Sequence, residues 1–109
     1  MRKTLLFFYA CILFASDWRQ DAIQAIDATI AVYKQRLECL QTHEAPHCIA
    51  RYPQDPRSDA LAQTFAMSFP KAFYGDKLRR DIHLLQKQKL CIGKALSQED
   101  AKQCATAVR

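Results

Sequence analysis

The sequence predicts an all-α protein, a small bundle of four to five helices built from two disulfide-stapled helical hairpins. Three observations carry this. Glycine occurs only twice in 109 residues, and no alternating apolar run is bounded by turn residues, while Ala, Gln, Leu and Lys are plentiful. Apolar residues recur at helical spacing along most of the chain. The cysteines fall into two close pairs, Cys39 with Cys48 and Cys91 with Cys104, and the odd Cys11 lies inside an N-terminal apolar run.

That run decides how the cysteines are read. Residues 1–15 open with Arg2 and Lys3 and continue as an apolar stretch from Leu5 to Ala15, followed by Ser16 and Asp17. Eleven residues are too few for a permanent span, which needs about twenty, and they fit the core of a removable export signal. Cleavage is expected after Ala15 or Ser16, although Leu13 fills a position where a small residue is usual. A lipoprotein processed at Cys11 is disfavoured by the bulky Phe8 and Tyr9 before it. Export removes Cys11 and leaves four cysteines in a compartment that permits oxidation. The expected location is the periplasm or the cell exterior.

Residues 16–109 are then one α-helical domain. A chain of this size buries only about 60–65% of its unfolded surface, so two staples of roughly 3 kcal/mol each matter to its stability. Removing Arg2 and Lys3 leaves 14 basic against 11 acidic residues, a net charge of +3 rather than +5. The excess sits between Lys71 and Lys94, where seven basic residues face only Asp76 and Asp81. Such a patch suits an acidic protein or an anionic lipid surface. Export removes nucleic acid from the expected partners.

The first helix is expected over residues 17–42, with Asp17 as N-cap and Gln20 completing a capping box. Its Ile23, Ile26, Ile30, Tyr33, Leu37 and Leu40 are spaced 3, 4, 3, 4, 3, a narrow seam made to lie along another helix. A core-facing role inside the bundle is favoured, with homo-oligomerisation through this helix as the other use of the seam. Pro46 predicts a corner over 43–47, followed by a short helical segment over 48–51. Residues 52–57, Tyr-Pro-Gln-Asp-Pro-Arg, form the clearest loop and divide the two halves.

A second helix begins at Ser58 or Asp59, carries Leu61, Phe65 and Phe69 on one face, and breaks at Pro70. Residues 71–75 are expected as a connector. Asp76 then caps a helix whose Leu78, Ile82, Leu85 and Ile92 share a face, ending near Gly93. Ser97 with Asp100 marks the start of a final helix through Ala101, Cys104, Ala105 and Val108. Around each cysteine pair the pattern repeats: a helix end near one cysteine, a turn, and an acidic-Ala start with the second cysteine one turn on. This echo favours Cys39–Cys48 and Cys91–Cys104 among the three pairings that four cysteines allow.

The sharpest chemical cluster is Cys39, His43, His47 and Cys48, whose sulfur and imidazole groups suit zinc or copper. A periplasmic metal-binding protein is therefore the alternative function. Against it, Pro46 interrupts the helical register and a Cys39–Cys48 disulfide removes both thiolates. His83 reads as a packing or surface residue, and its pairing with Met67 as haem ligands rests on residue identity alone. There is no Gly-x-Ser-x-Gly elbow and no Gly-rich phosphate loop. Glu38, Glu44 and Glu99 fall at helix ends and turns. No enzyme activity and no cofactor are expected.

The aromatic residues point elsewhere. Phe65, Phe69, Phe73 and Tyr74, with Met67, lie within ten residues bracketing Pro70. One reading buries them as the core against the first helix. The other leaves an apolar patch bordered by basic residues, with Phe69, Phe73, Tyr74, Lys77 and Arg80 contacting a partner. Docking of that patch on a membrane surface is a weaker variant, so membrane contact is peripheral at most.

The two cysteine pairs resemble those of the twin-cysteine coiled-coil-helix-coiled-coil-helix proteins of the mitochondrial intermembrane space, in which equal Cys-x9-Cys spacings place two disulfides between adjacent helices. The spacings here are Cys-x8-Cys and Cys-x12-Cys, so the likeness stops at hairpins tied by paired cysteines and assigns no family. The expected function is binding of another protein in the cell envelope, as an accessory subunit of an assembly or as an inhibitor or immunity-type protein.

Overall fold

The computed structural model describes the backbone of residues 2–107 and the side chains of residues 18–104. Five helices and no strand make up the described residues: α1 (Arg2–Cys39), α2 (Ala45–Arg51), α3 (Pro56–Ser68), α4 (Lys71–Lys94) and α5 (Gln98–Ala107). The leader expected over residues 1–15, the leftover Cys11 and the Asp17 cap lie outside the described side chains. The backbone of α1 runs through residue 17 without a break.

The apolar seam becomes the main packing surface of α1. Ile30 and Leu40 are buried and Ile23, Ile26, Tyr33 and Leu37 are half-buried, while most residues between them face solvent; Arg36 is buried and Thr29, Val32 and Cys39 are half-buried. Their partner is α4, whose Tyr74, Leu78 and Ile82 are buried on the facing side. The two helices run antiparallel. Near one end Arg36 meets Tyr74, in the middle Asp27 pairs with Lys89 at 2.8 Å, and at the other end Arg19 donates to the Ala95 carbonyl. The seam is thus filled from within the chain.

The corner after α1 comes earlier than the position of Pro46 suggests. Gln41 and Thr42 donate to the carbonyls of Glu38 and Cys39 three residues back, at 3.1 Å each, so the last turn tightens and ends. Glu44 is extended, and α2 starts at Ala45 with Pro46 in its first turn, where a missing backbone N–H costs nothing. Cys48 and Ile49 of α2 then seat in the core, made with Leu40, Ala45, Tyr74 and Leu78.

Two further boundaries differ from expectation for local reasons. Asp55, not Ser58 or Asp59, caps α3, accepting from the Ser58 N–H at 2.8 Å, with Pro56 in the first turn. Residues 71–75 are helix rather than connector. Pro70 forces Phe69 into extended backbone and serves as the residue before α4, so one sharp break separates two helices with no loop between them. Gly75 and Gly93 both lie inside α4 with ordinary negative φ. At Gly75 the helix sits against Leu37 of α1 and Leu40 just past its end.

Both disulfides form with the expected local pairing. Cys39–Cys48 ties α1 to α2 with Cα atoms 5.7 Å apart, and Cys91–Cys104 ties α4 to α5 at 5.8 Å. Ser97 Oγ accepts from the Asp100 N–H at 3.3 Å and opens α5, as its sequence signature predicts. With residues 2–15 of α1 included, the chain extends over 63 × 28 × 21 Å. Its core lies at the end where α2 and α3 pack across the α1–α4 pair.

Candidate functional site

The break at Pro70 positions the most exposed aromatic surface. Phe65 of α3 and Phe69, one turn on at its C-cap, pack as tilted rings with centroids 4.7 Å apart, and Phe69 meets Phe73 of α4 at 6.1 Å across the break. Phe69 is 47% and Phe73 53% exposed. Together with Phe65 they floor an open groove of about 520 Å³, whose rim is Asp76, Arg79 and Arg80. Asp76 pairs with Arg79 at 3.1 Å, so Arg80 is the cation of the rim without an ion-pair partner among the described residues. Met67 is also exposed on α3.

Three of the five residues expected to meet a partner, Phe69, Phe73 and Arg80, therefore come together. The other two do not. Tyr74 is 2% exposed and belongs to the core, because the α-helical register turns it a hundred degrees from Phe73 toward α1. Lys77 lies one turn further on that inner side, bonds Asp81 at 2.6 Å, and lines a neighbouring cleft. Phe65 was part of the aromatic run read from the sequence but not among the five expected contact residues, and Arg79 was not singled out as a contact. Their signal was the 65, 69, 73 spacing continuing across Pro70, with Arg79 one and a half turns beyond.

That neighbouring cleft, of about 380 Å³, lies among α1, α3, α4 and the loop before α3. At its base Arg36 is 1% exposed. Its guanidinium donates to the Tyr52 carbonyl at 2.8 Å, to Asp59 at 2.7 Å and to the Tyr74 hydroxyl at 3.3 Å. Asp59 in turn accepts from the Gln54 N–H at 3.1 Å on both oxygens. One buried cation thus satisfies the end of α2, the first turn of α3 and the face of α4. Burial pushes the Tyr74 phenol above its ordinary range despite the opposing pull of Arg36. The Tyr33 phenol rises for the same reason, with the Asp81 carboxylate adding to it.

The cysteine–histidine cluster forms a third feature. His43 and His47 stack at 4.6 Å beside the Cys39–Cys48 disulfide, in a cleft lined also by Glu38, Thr42, Arg51 and Tyr52. With both sulfurs bonded to each other, no thiolate is present to hold a metal. A last exposed apolar spot, Leu90 and Leu96, lies at the α4–α5 hairpin. Among the described residues no helix is long and apolar enough to cross a membrane, and the two disulfides are of a kind that persists in oxidising compartments. Comparison of the chain with protein-family models, curated proteins and solved structures finds no match.

Proposed function

We propose that the protein is exported and binds another protein through the groove of Phe65, Phe69 and Phe73, as an accessory subunit of an envelope assembly or an inhibitor or immunity-type protein. The observation that carries this reading is the pair of half-exposed phenylalanines held side by side beneath a basic rim. Apolar rings left in water are costly by about 25 cal/mol per Å² of surface that a partner could cover, and aromatic anchors ringed by arginine are the composition of binding hot spots. The partner that fits presents apolar side chains flanked by carboxylates. Aromatic burial supplies affinity, while Arg80 favours approach of an acidic surface.

The groove is built on a rigid base. Phe65 contacts Tyr74 at 6.3 Å, Tyr74 is bonded to Arg36, and Arg36 is fixed on α1. A photo-crosslinking residue placed at position 73 in cells should yield a discrete adduct. The same residue at position 96, where Leu96 is 90% exposed far along the molecule, should not. Phe69→Asp should abolish a position-73 adduct while leaving the helical signal of the purified protein intact. Equal adducts from both positions, or none from position 73, would refute the reading.

A further inference from the structure

We propose that the Cys39–Cys48 disulfide conceals a zinc site that opens on reduction, with Cys39, Cys48, His43 and His47 as its four ligands. The proposal stands on a different face from the aromatic groove and does not depend on it. Sγ of Cys39 and one ring nitrogen each of His43 and His47 already lie within 4.8 Å of one another. Cys48 Sγ is bonded to Cys39 Sγ and completes the set. Four ligands around tetrahedral zinc, at about 2.3 Å for sulfur and 2.0–2.1 Å for nitrogen, sit roughly 3.3–3.8 Å from each other. Reaching that spacing requires the two sulfurs to part, by rotation about a Cα–Cβ bond, and the imidazoles to close from their present 4.8 Å limit.

The surroundings match a metal better than a chance cluster. Cys48 is fully buried at the start of the core and Cys39 is half-buried. The two exposed imidazoles close the solvent side. His43 Nδ1 lies 2.8 Å from Thr42 Oγ1, whose own proton is directed at the Cys39 carbonyl. In the tautomer that carries its proton on Nδ1, the ring donates to this hydroxyl and presents the Nε2 lone pair to a metal, the usual outer support of a zinc-ligating histidine. The tight turn between α1 and α2 is what brings the histidines over the disulfide. A continuous helix would have carried His47 two turns past Cys39.

The chemistry balances with a dithiol reductant. Its thiolate attacks Cys39 Sγ, the more accessible sulfur, and Cys48 leaves as thiolate. The reductant's second thiol then resolves the mixed disulfide, so two electrons pass to the pair and the reductant becomes a disulfide. Zinc binding displaces the protons of the two cysteine thiols. Within this cluster the oxidised form offers two imidazoles and no thiolate, so its affinity for zinc is tied to the state of this one bond.

Zinc titration of the full chain, oxidised and after reduction with a phosphine, tests the proposal. The reduced chain should bind zinc at least about a hundredfold more tightly than the oxidised one. Cobalt in place of zinc should give the tetrahedral visible bands and sulfur charge transfer of a mixed thiolate–imidazole site. Because reduction also frees Cys91 and Cys104, the titration is repeated on C91S/C104S, which should retain one tight zinc. His43→Ala and His47→Ala should each weaken binding by at least about tenfold, since even an outer partner of a zinc ligand is worth roughly 10–100-fold. Equal affinity in both redox states or binding indifferent to both histidines would overturn the proposal. So would a reduced chain that loses its helix and does not regain it with zinc.

Discussion

Arg36 is the residue on which the most structure converges, and its burial makes it the sharpest point of test. Truncation leaves the Tyr52 carbonyl, the Tyr74 hydroxyl and the Asp59 carboxylate short of a donor in one stroke. Removing one partner of a buried ion pair costs about 3–5 kcal/mol. Asp59 keeps 21% of its side-chain surface in contact with solvent, so Arg36→Ala should fall at the lower end, about 3 kcal/mol by urea unfolding. Arg36→Lys should recover only part of this, because an ammonium cannot span all three acceptors. A loss under 1 kcal/mol for Arg36→Ala would show that the hub is not structural. The seam of α1 was legible from its 3-4 spacing, but Arg36 was not. An arginine beside Leu37 reads as a solvated neighbour until the chain 16 and 23 residues later supplies Tyr52 and Asp59 as its partners.

The tyrosines of the same region give a dependence on pH. Tyr33 and Tyr74 hold their protons more tightly folded than unfolded, burial being the leading cause in each. Their contribution is therefore fully present below the unfolded tyrosine value of about 10 and drains away as pH rises through the higher folded value. The protein should loosen in that alkaline window, with phenolate absorbance and loss of helix rising together. Tyr33→Phe should move the onset to higher pH, and an unmoved onset would remove Tyr33 from the account.

At the scale of elements, helix content, disulfide pairing and the facing stripes of α1 and α4 were all legible, because each follows from spacing within a short stretch. Boundaries were less so. The expected connector over 71–75 rested on Pro70 and Gly75 as breakers, yet Pro70 only ends α3, and the packing of Tyr74 and Leu78 on α1 outweighs the weak helix propensity of one glycine. Gly93 makes the same point from the other side. A Cβ there would meet nothing within 4 Å, its φ is not positive, and it sits one residue from the end of α4. Gly93→Ala should therefore stabilise the protein by up to about 0.5–1 kcal/mol through helix propensity alone. A lower melting temperature would indicate a role for this position that its surroundings do not show.

In the whole molecule, two stapled hairpins form a scaffold that displays Phe69 and Phe73 at its core end. The sequence pointed to this aromatic run but could not divide it between core and surface. Phe73 and Tyr74 are neighbours in the chain, and only the rotation of α4 against α1 sends one outward and the other inward. Formation of the two disulfides calls for an oxidising environment. The most direct test is the intact mass and N-terminal sequence of the protein isolated from its native cells. The account predicts a chain beginning at Ser16 or Asp17 and lighter by four hydrogens than its reduced form. A chain beginning at Met1 with its thiols free would contradict it.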